Sequence, residues 1–216
     1  MSNAAPAFKS WDSDESYIAD QNRSSSWSHG TVWGMRAAKA IISYGDTIHS
    51  NGWLYHDDTV ADFGGNDGFA AHQFFLRFGI KPLVVDCEPN RISFAKHEYG
   101  MKTLECFVED IPLEDNSIDW GFCSHTLEHT RDVSKAIAEI ARVVKRACLF
   151  ILPLEKPGPF DMNDAHSVSC STVAAWKGLL NPHWIIKKSS WLHRASSQAH
   201  IFASPRKVQK VQKVSQ

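Results

Sequence analysis

A short apolar run that ends in an acid and then breaks into glycines constrains this chain more than any other stretch. Thr59-Val60-Ala61-Asp62-Phe63 reads as a buried strand, Gly64-Gly65-Asn66-Asp67-Gly68 as a tight bend, and Phe69 to Phe78 as a helix. Glycine lets a backbone take positive φ and pass close to a ligand. The first turn of the helix leaves N–H groups without helical partners, and they point into the same space. In open α/β sheets this place, beyond the carboxyl end of a first strand, is where nucleotides bind. A glycine pair alone is more often a plain turn. The next strand sharpens the reading: Leu83-Val84-Val85-Asp86 also ends in an acid. Asp86 lies about 20 residues past the glycines, the spacing of a ribose-binding carboxylate.

The same alternation continues. A helix over 31–49 precedes the first strand, with Val32, Met35, Ala38, Ile42 and Ile48 as its apolar stripe and Gly45 as a weak point. Pro89 opens a helix where its missing N–H costs nothing. Strands are expected at 103–108, 120–124 and 148–153. Asp132 caps a helix with Val133, Ala136, Ile137, Ile140 and Val144 at helical spacing. Repeating strand–helix units imply a doubly wound, mostly parallel α/β sheet. The end differs: a long loop over 156–166, a short helix capped by Ser171 or Thr172, and a hairpin over 184–191 and 198–203. The expected organisation is an irregular arm or lid over 1–28, one domain over 29–205 and a flexible tail over 206–216.

Charge narrows the ligand. A pyrophosphate needs N–H groups and no nearby anions, yet Asp62 and Asp67 flank the bend. At ~4 Å and an effective dielectric of ~20, each like-charge contact costs on the order of 4 kcal/mol. A cationic nucleoside reverses that sign. S-adenosylmethionine, with a sulfonium, an ammonium and no phosphate, suits the loop better than NAD.

On these residues the chain resembles the class I S-adenosylmethionine-dependent methyltransferases, of the small-molecule type 11 kind. Asp62-Phe63-Gly64-Gly65-Asn66-Asp67-Gly68 is similar to their Asp-x-Gly-x-Gly-x-Gly loop, and Asp86 to their ribose-binding acid. Ile111 to Asp119 is similar to the stretch before their fourth strand, and Ser124-His125-Thr126-Leu127-Glu128-His129 to the stretch after it. The likeness covers roughly residues 55 to 205. It implies a Rossmann-like seven-stranded sheet with an antiparallel last strand. The chain departs from the family at Asn66, in place of the middle glycine, and at Lys145-Arg146-Ala147-Cys148, where many relatives carry Lys-Pro-Gly-Gly.

The resemblance also implies a site. Asp62, Gly64, Gly65, Asn66 and Gly68 would hold the methionine part, Asp86 the ribose, and Cys87 with Glu88 the border of the adenine. An ungapped match sets Phe107 and Val108 at the adenine's amino edge; a gapped one uses Glu109 or Asp110. Ser124 and His125, at the end of the fourth strand, would face the transferred methyl. His125 is the first candidate base, with His129 and His166 behind it, and Glu128 could orient either neighbouring histidine. A helix-start acid is the plainer role for Glu128. Trp27 and Trp33 could wall the pocket.

A net charge of −1 argues against a nucleic-acid or membrane-surface partner. A small-molecule acceptor is expected, and a homodimer is one arrangement open to the chain. No run reaches the ~20 apolar residues of a membrane span, and the amino terminus lacks a signal-peptide pattern. The five cysteines form no Cys-x-x-Cys, and the 11 histidines no zinc pattern, so no metal is expected. Free thiols point to a reducing, cytoplasmic setting. Two other readings stand beside the enzyme: a nicotinamide-dependent Rossmann oxidoreductase, and a nucleoside-binding module without turnover.

Overall fold

The structure is a computed structural model that describes residues 7–8, 13, 16, 32–155, 166–192 and 198–206. In chain order its elements are β1 (Ala7–Phe8), α1 (Val32–Ser50), β2 (Val60–Phe63), α2 (Phe69–Phe78), β3 (Leu83–Asp86), α3 (Pro89–Glu98), β4 (Lys102–Glu105) and β5 (Ile118–Ser124). A 3-10 turn (Leu127–His129) follows, then α4 (Val133–Val143), β6 (Val144–Pro153), β7 (Val168–Ser169), α5 (Val173–Leu180), β8 (Trp184–Leu192) and β9 (Gln198–Pro205). Seven strands form one sheet in the order β4-β3-β2-β5-β6-β9-β8. Pairing is parallel from β4 to β6, and β9 runs antiparallel to both neighbours. This is the expected Rossmann-like sheet.

The glycine bend sits where the topology places ligands. β2 lies between β3 and β5, and the strand order reverses there, so the carboxyl ends of β2, β3 and β5 open on one crevice. Both faces are covered. Phe63, Cys123, Phe150 and Leu152 pack on one side with Ala136, Ile137 and Ile140 of α4. Val60, Phe122, Leu149 and Ile151 pack on the other with Ile41 and Ile48 of α1 and Phe74 of α2. Parallel strands buried on both faces need apolar sequence, which Val60, Ala61 and Phe63 of β2 supply around the buried Asp62.

Local chemistry corrects several boundaries. Gly45 does not weaken α1. A Cβ there would meet the Phe74 and Phe78 rings, so the glycine lets α1 and α2 approach. The third expected strand stops at Glu105; Phe107 and Val108 lie in a turn closed by Asp110 N–H to Phe107 O at 3.0 Å. No separate turn joins α4 to β6. Val144, expected on the helical stripe, is already extended (φ −82°, ψ 133°) and begins the strand. Of the two caps left open, Thr172 is the one: its Oγ1 accepts from Ala175 N–H at 3.1 Å. The ribbon of β1 and β7, pairing Ala7 with Ser169 and Phe8 with Val168, has no counterpart in the sequence reading. The rest of the arm over 1–28, including Trp27, the side chain of Trp33, and the tail over 207–216 lie outside the described residues.

Candidate active site

The bend after β2 uses its own amides. Gly64 and Gly65 N–H both donate to Val85 O, at 2.7 and 3.0 Å. Asn66 N–H donates to Asp86 Oδ2 at 2.8 Å, and Asp67 N–H to Asn66 Oδ1 at 2.7 Å. Gly68 N–H reaches Gly65 O at 2.9 Å, and Phe69 N–H reaches Asp67 Oδ1 at 3.1 Å. Every N–H of the bend from Gly64 to Phe69 is thus occupied, while the next two amides of the helix start, Ala70 and Ala71, keep the free-donor positions that the sequence reading expected. Val85 O takes two of the bend amides, Gly65 O one, and the Asp86, Asn66 and Asp67 side chains the other three, as Asx side chains commonly bond backbone N–H groups.

Two small residues are forced here. A Cβ on Gly64, at φ +70°, would overlap the Thr126 side chain, which itself donates from Oγ1 to Phe63 O at 3.0 Å. A Cβ on Gly65 would stand 2.9 Å from Asp62 Cγ. Asn66 takes φ 54°, the left-handed region that asparagine tolerates, so the missing glycine leaves the turn intact.

Beneath the bend is a nest of acids. Asp62 and Asp67 are 2% and 0% exposed, and Asp86 and Glu88 are buried. Asp62 Oδ2 is buried with no hydrogen-bond partner. Burial first, then the neighbouring Asp86 and Asp67, raise the Asp62 carboxyl well above the usual aspartate range. Burial also raises Asp86, opposed by Arg91 and by N–H bonds from Glu88 and Asn66. Its Oδ1 accepts from Glu88 N–H at 3.0 Å and its Oδ2 from Asn66.

Beyond β3 and β4, Cys87 is half-buried, and burial, then Asp86, pushes its thiol far up, so it stays protonated. Glu88 caps α3, accepting from Arg91 N–H at 2.9 Å. The Phe107 ring lies 4.1 Å under the Arg131 guanidinium. Glu109 Oε1 accepts from Arg131 N–H at 2.7 Å, while its Oε2 is buried without a partner.

The end of β5 carries a second cluster. Ser124 Oγ is buried and unpartnered. His125 takes φ 53° and bonds Glu128 Oε1 through Nδ1 at 3.0 Å. Its Nε2 lies 2.6 Å from Gln198 Nε2, so with the amide donating, Nε2 accepts and the ring proton sits on Nδ1. Glu128 is 0% exposed, and its Oε2 has no hydrogen-bond partner. Burial opposes its ionisation, but the His125 hydrogen bond and the charges of His125, His129 and His166 outweigh it and hold the carboxyl below the usual range. His129 and His166 meet edge to face at 4.5 Å, and His166 Nδ1 bonds Glu155 Oε2 at 2.9 Å. The three histidines thus converge on one buried carboxylate.

The comparisons agree with this geometry. Residues 61–152 match the family described as "Methyltransferase domain". The uncharacterized methyltransferase YcgJ of Bacillus subtilis (strain 168) is 24% identical over 169 residues, 65% of this chain and 66% of the relative. The chain therefore spans just under two thirds of that relative's length.

Over residues 61–152, then, the chain is similar to a methyltransferase domain.

The fold is similar to that of Burkholderia thailandensis 1,6-didemethyltoxoflavin-N1-methyltransferase, solved with 1,6-didemethyltoxoflavin and S-adenosylhomocysteine. The TM-score is 0.69, with 18% identity, over 94% of this chain and 95% of that one. The Synechocystis PCC 6803 magnesium protoporphyrin IX methyltransferase, with bound S-adenosylhomocysteine, follows at 0.62 and 13%, over 79% and 83%.

The residues at the crevice fit S-adenosylmethionine. Along the loop no amide from Gly64 to Phe69 is left for a phosphate, whereas Asp62 Oδ2 and Ser124 Oγ are buried acceptors without partners. That is a setting for a cation, and it displaces the nicotinamide reading. Among the described residues no helix is long and apolar enough to cross a membrane. Sequence reasoning missed Gln198, Thr126 and Glu155. Gln198 sits in the expected last strand, but nothing local in the sequence aims it at His125.

Proposed function

We propose that this chain transfers the methyl group of S-adenosylmethionine to an oxygen or nitrogen of a small-molecule acceptor. Gly64, Gly65, Asn66 and Gly68 fold around the methionine part, with the Asp62 carboxyl below it. Asp86 receives the ribose hydroxyls: each of its oxygens accepts one N–H in the structure and has a further lone pair. Cys87, Phe107 and Val108 border the adenine, and Glu109 Oε2 is the acid within reach of that edge. Bound S-adenosylmethionine supplies an electrophilic methyl on a sulfonium. What the chain adds is placement, which can supply ~7–11 kcal/mol of such a barrier.

Ser124 and His125 stand at the acceptor side. With its proton held on Nδ1 by Glu128, His125 presents Nε2 as a base, worth roughly 10²–10⁴-fold when the acceptor arrives protonated. Gln198 holds that nitrogen, so the acceptor must take the place of the amide. His129 and His166 lie beyond, on the Glu128 side. The β1 segment reaches this end through its pairing with β7.

The single observation carrying the reading is the loop itself: buried unpartnered acceptors beside a bend whose amides from Gly64 to Phe69 are all taken. The acceptor class is supported by the near-neutral chain and by the two small-molecule methyltransferases it resembles in fold. Purified protein incubated with S-adenosylmethionine and a panel of small hydroxyl, amine and heteroaromatic acceptors should release S-adenosylhomocysteine with at least one of them, read by mass spectrometry. Cofactor binding without release across the panel would leave the non-catalytic module as the better reading.

A further inference from the structure

We propose that Glu128, His129 and His166 bind one divalent transition-metal ion, with zinc the cation their donor set fits best. The proposal extends beyond the methyl-transfer reading and does not rest on it.

Two imidazoles and one carboxylate are borderline donors, matched to zinc and its first-row neighbours rather than to magnesium or calcium, which prefer oxygen alone. One donor atom from each residue can be chosen so that all three lie within 4.8 Å of one another. Two donors bound to one ion at about 2.1 Å are at most about 4.2 Å apart, so a small closure of the side chains completes the set.

Independent observations point to a ligand at this spot. Glu128 is wholly buried, yet only its Oε1 is accounted for by His125; Oε2 has no partner. A buried carboxylate oxygen without a donor is costly, and a cation is what satisfies it. The surrounding structure also prepares the ligands. Glu155 Oε2 engages His166 Nδ1, which leaves Nε2 as the ring nitrogen for an ion, the carboxylate–histidine arrangement that orients metal ligands. Ser167 ties the His166 segment to the 3-10 turn: its N–H donates to Glu128 O at 2.5 Å, and its hydroxyl reaches Glu128 O and Thr130 O. The sequence hides this site because Glu128-His129 and His166 come from different segments. Three protein ligands leave a coordination position open, which is the pattern of a catalytic ion rather than a structural one.

The test uses untagged full-length protein stripped with a chelator and dialysed. Calorimetric titration with Zn²⁺ should give one equivalent per chain, and Co²⁺ should give visible d–d bands of a four- or five-coordinate site. His129→Ala and His166→Ala should each weaken Zn²⁺ binding at least about tenfold, and Glu155→Gln about tenfold through the orientation of His166. His97→Ala, exposed on α3, should leave it unchanged. Circular dichroism of each variant separates loss of the ligand set from loss of the fold. Less than half an equivalent bound by the wild type, or binding indifferent to the His129→Ala/His166→Ala double substitution in a folded protein, would overturn the proposal. Retained cofactor binding with no zinc would reject the metal site alone; bound zinc with no cofactor binding would reject the methyl-transfer reading alone.

Discussion

Asp62 at the end of β2 and Glu128 after β5 are both fully buried carboxyls, yet their protonation is driven in opposite directions. Asp62 has acids for neighbours, and its carboxyl is raised by burial, Asp86 and Asp67. Glu128 suffers the same desolvation but is surrounded by His125, His129 and His166, which pull it below the usual range. Burial therefore does not set the charge; the neighbours do. The β2 side is an excess of negative groups awaiting a cation. The β5 side has already found part of its compensation in imidazoles.

The largest expected effect is on the acidic side. Asp86→Ala should reduce S-adenosylhomocysteine affinity by about 100-fold or more, since two hydrogen bonds to a charged acceptor are worth roughly 1.5–3 kcal/mol each. Calorimetry reads it, and unchanged affinity would remove the ribose role. Next is Glu128→Gln. Removing a buried, hydrogen-bonded charge costs about 3 kcal/mol, and chemical denaturation near neutral pH should show a loss of that order. The sign is fixed by the lowered pKa. The stability from Glu128 is present above the ordinary glutamate range and is lost as pH falls through the folded value. The wild type should thus weaken on acidification below about pH 4.5, the unfolded value. The variant should show a flatter profile there. Asp62→Asn has the smallest effect and the opposite sign. A raised folded pKa means that ionising Asp62 near neutral pH weakens the ligand-free fold, so the amide should stabilise it by roughly 1 kcal/mol. The same change should weaken S-adenosylmethionine binding about tenfold. A substitution that destabilised the apo protein would show that Asp62 is paired, and the contrast with Glu128 would fail.

What was legible in the sequence was whatever repeats locally. The alternating apolar runs, the acids ending β2 and β3, Pro89 at a helix start and Asp132 at another gave the mostly parallel sheet and its helices, because each feature is dictated within a few residues. Asn66 could be read correctly for the same reason: a left-handed turn residue is a local matter. The misses are non-local. The β1–β7 ribbon joins two-residue strands far apart in the chain, with no periodicity to announce them. The join of α4 to β6 depends on Val144 leaving the helix without a glycine. The occupied amides of the bend depend on where Val85 O and Asp86 Oδ2 stand, which only the sheet fixes. Gln198 reaches His125 across β6, and His166 reaches Glu128 because Ser167 anchors the segment between them. Residue types were visible; convergence was not.

The central claim is that the bend after β2 holds a cationic nucleoside and repels a phosphorylated one. The direct measurement is side-by-side calorimetric titration with S-adenosylmethionine and NADH at pH 7.5 and pH 5.5. The account predicts micromolar binding of S-adenosylmethionine that weakens at the lower pH, as protonation of the raised Asp62 and Asp86 carboxyls removes their attraction, and no measurable heat with NADH. NADH binding as tight as that of S-adenosylmethionine, or S-adenosylmethionine binding that strengthens on acidification, would contradict it.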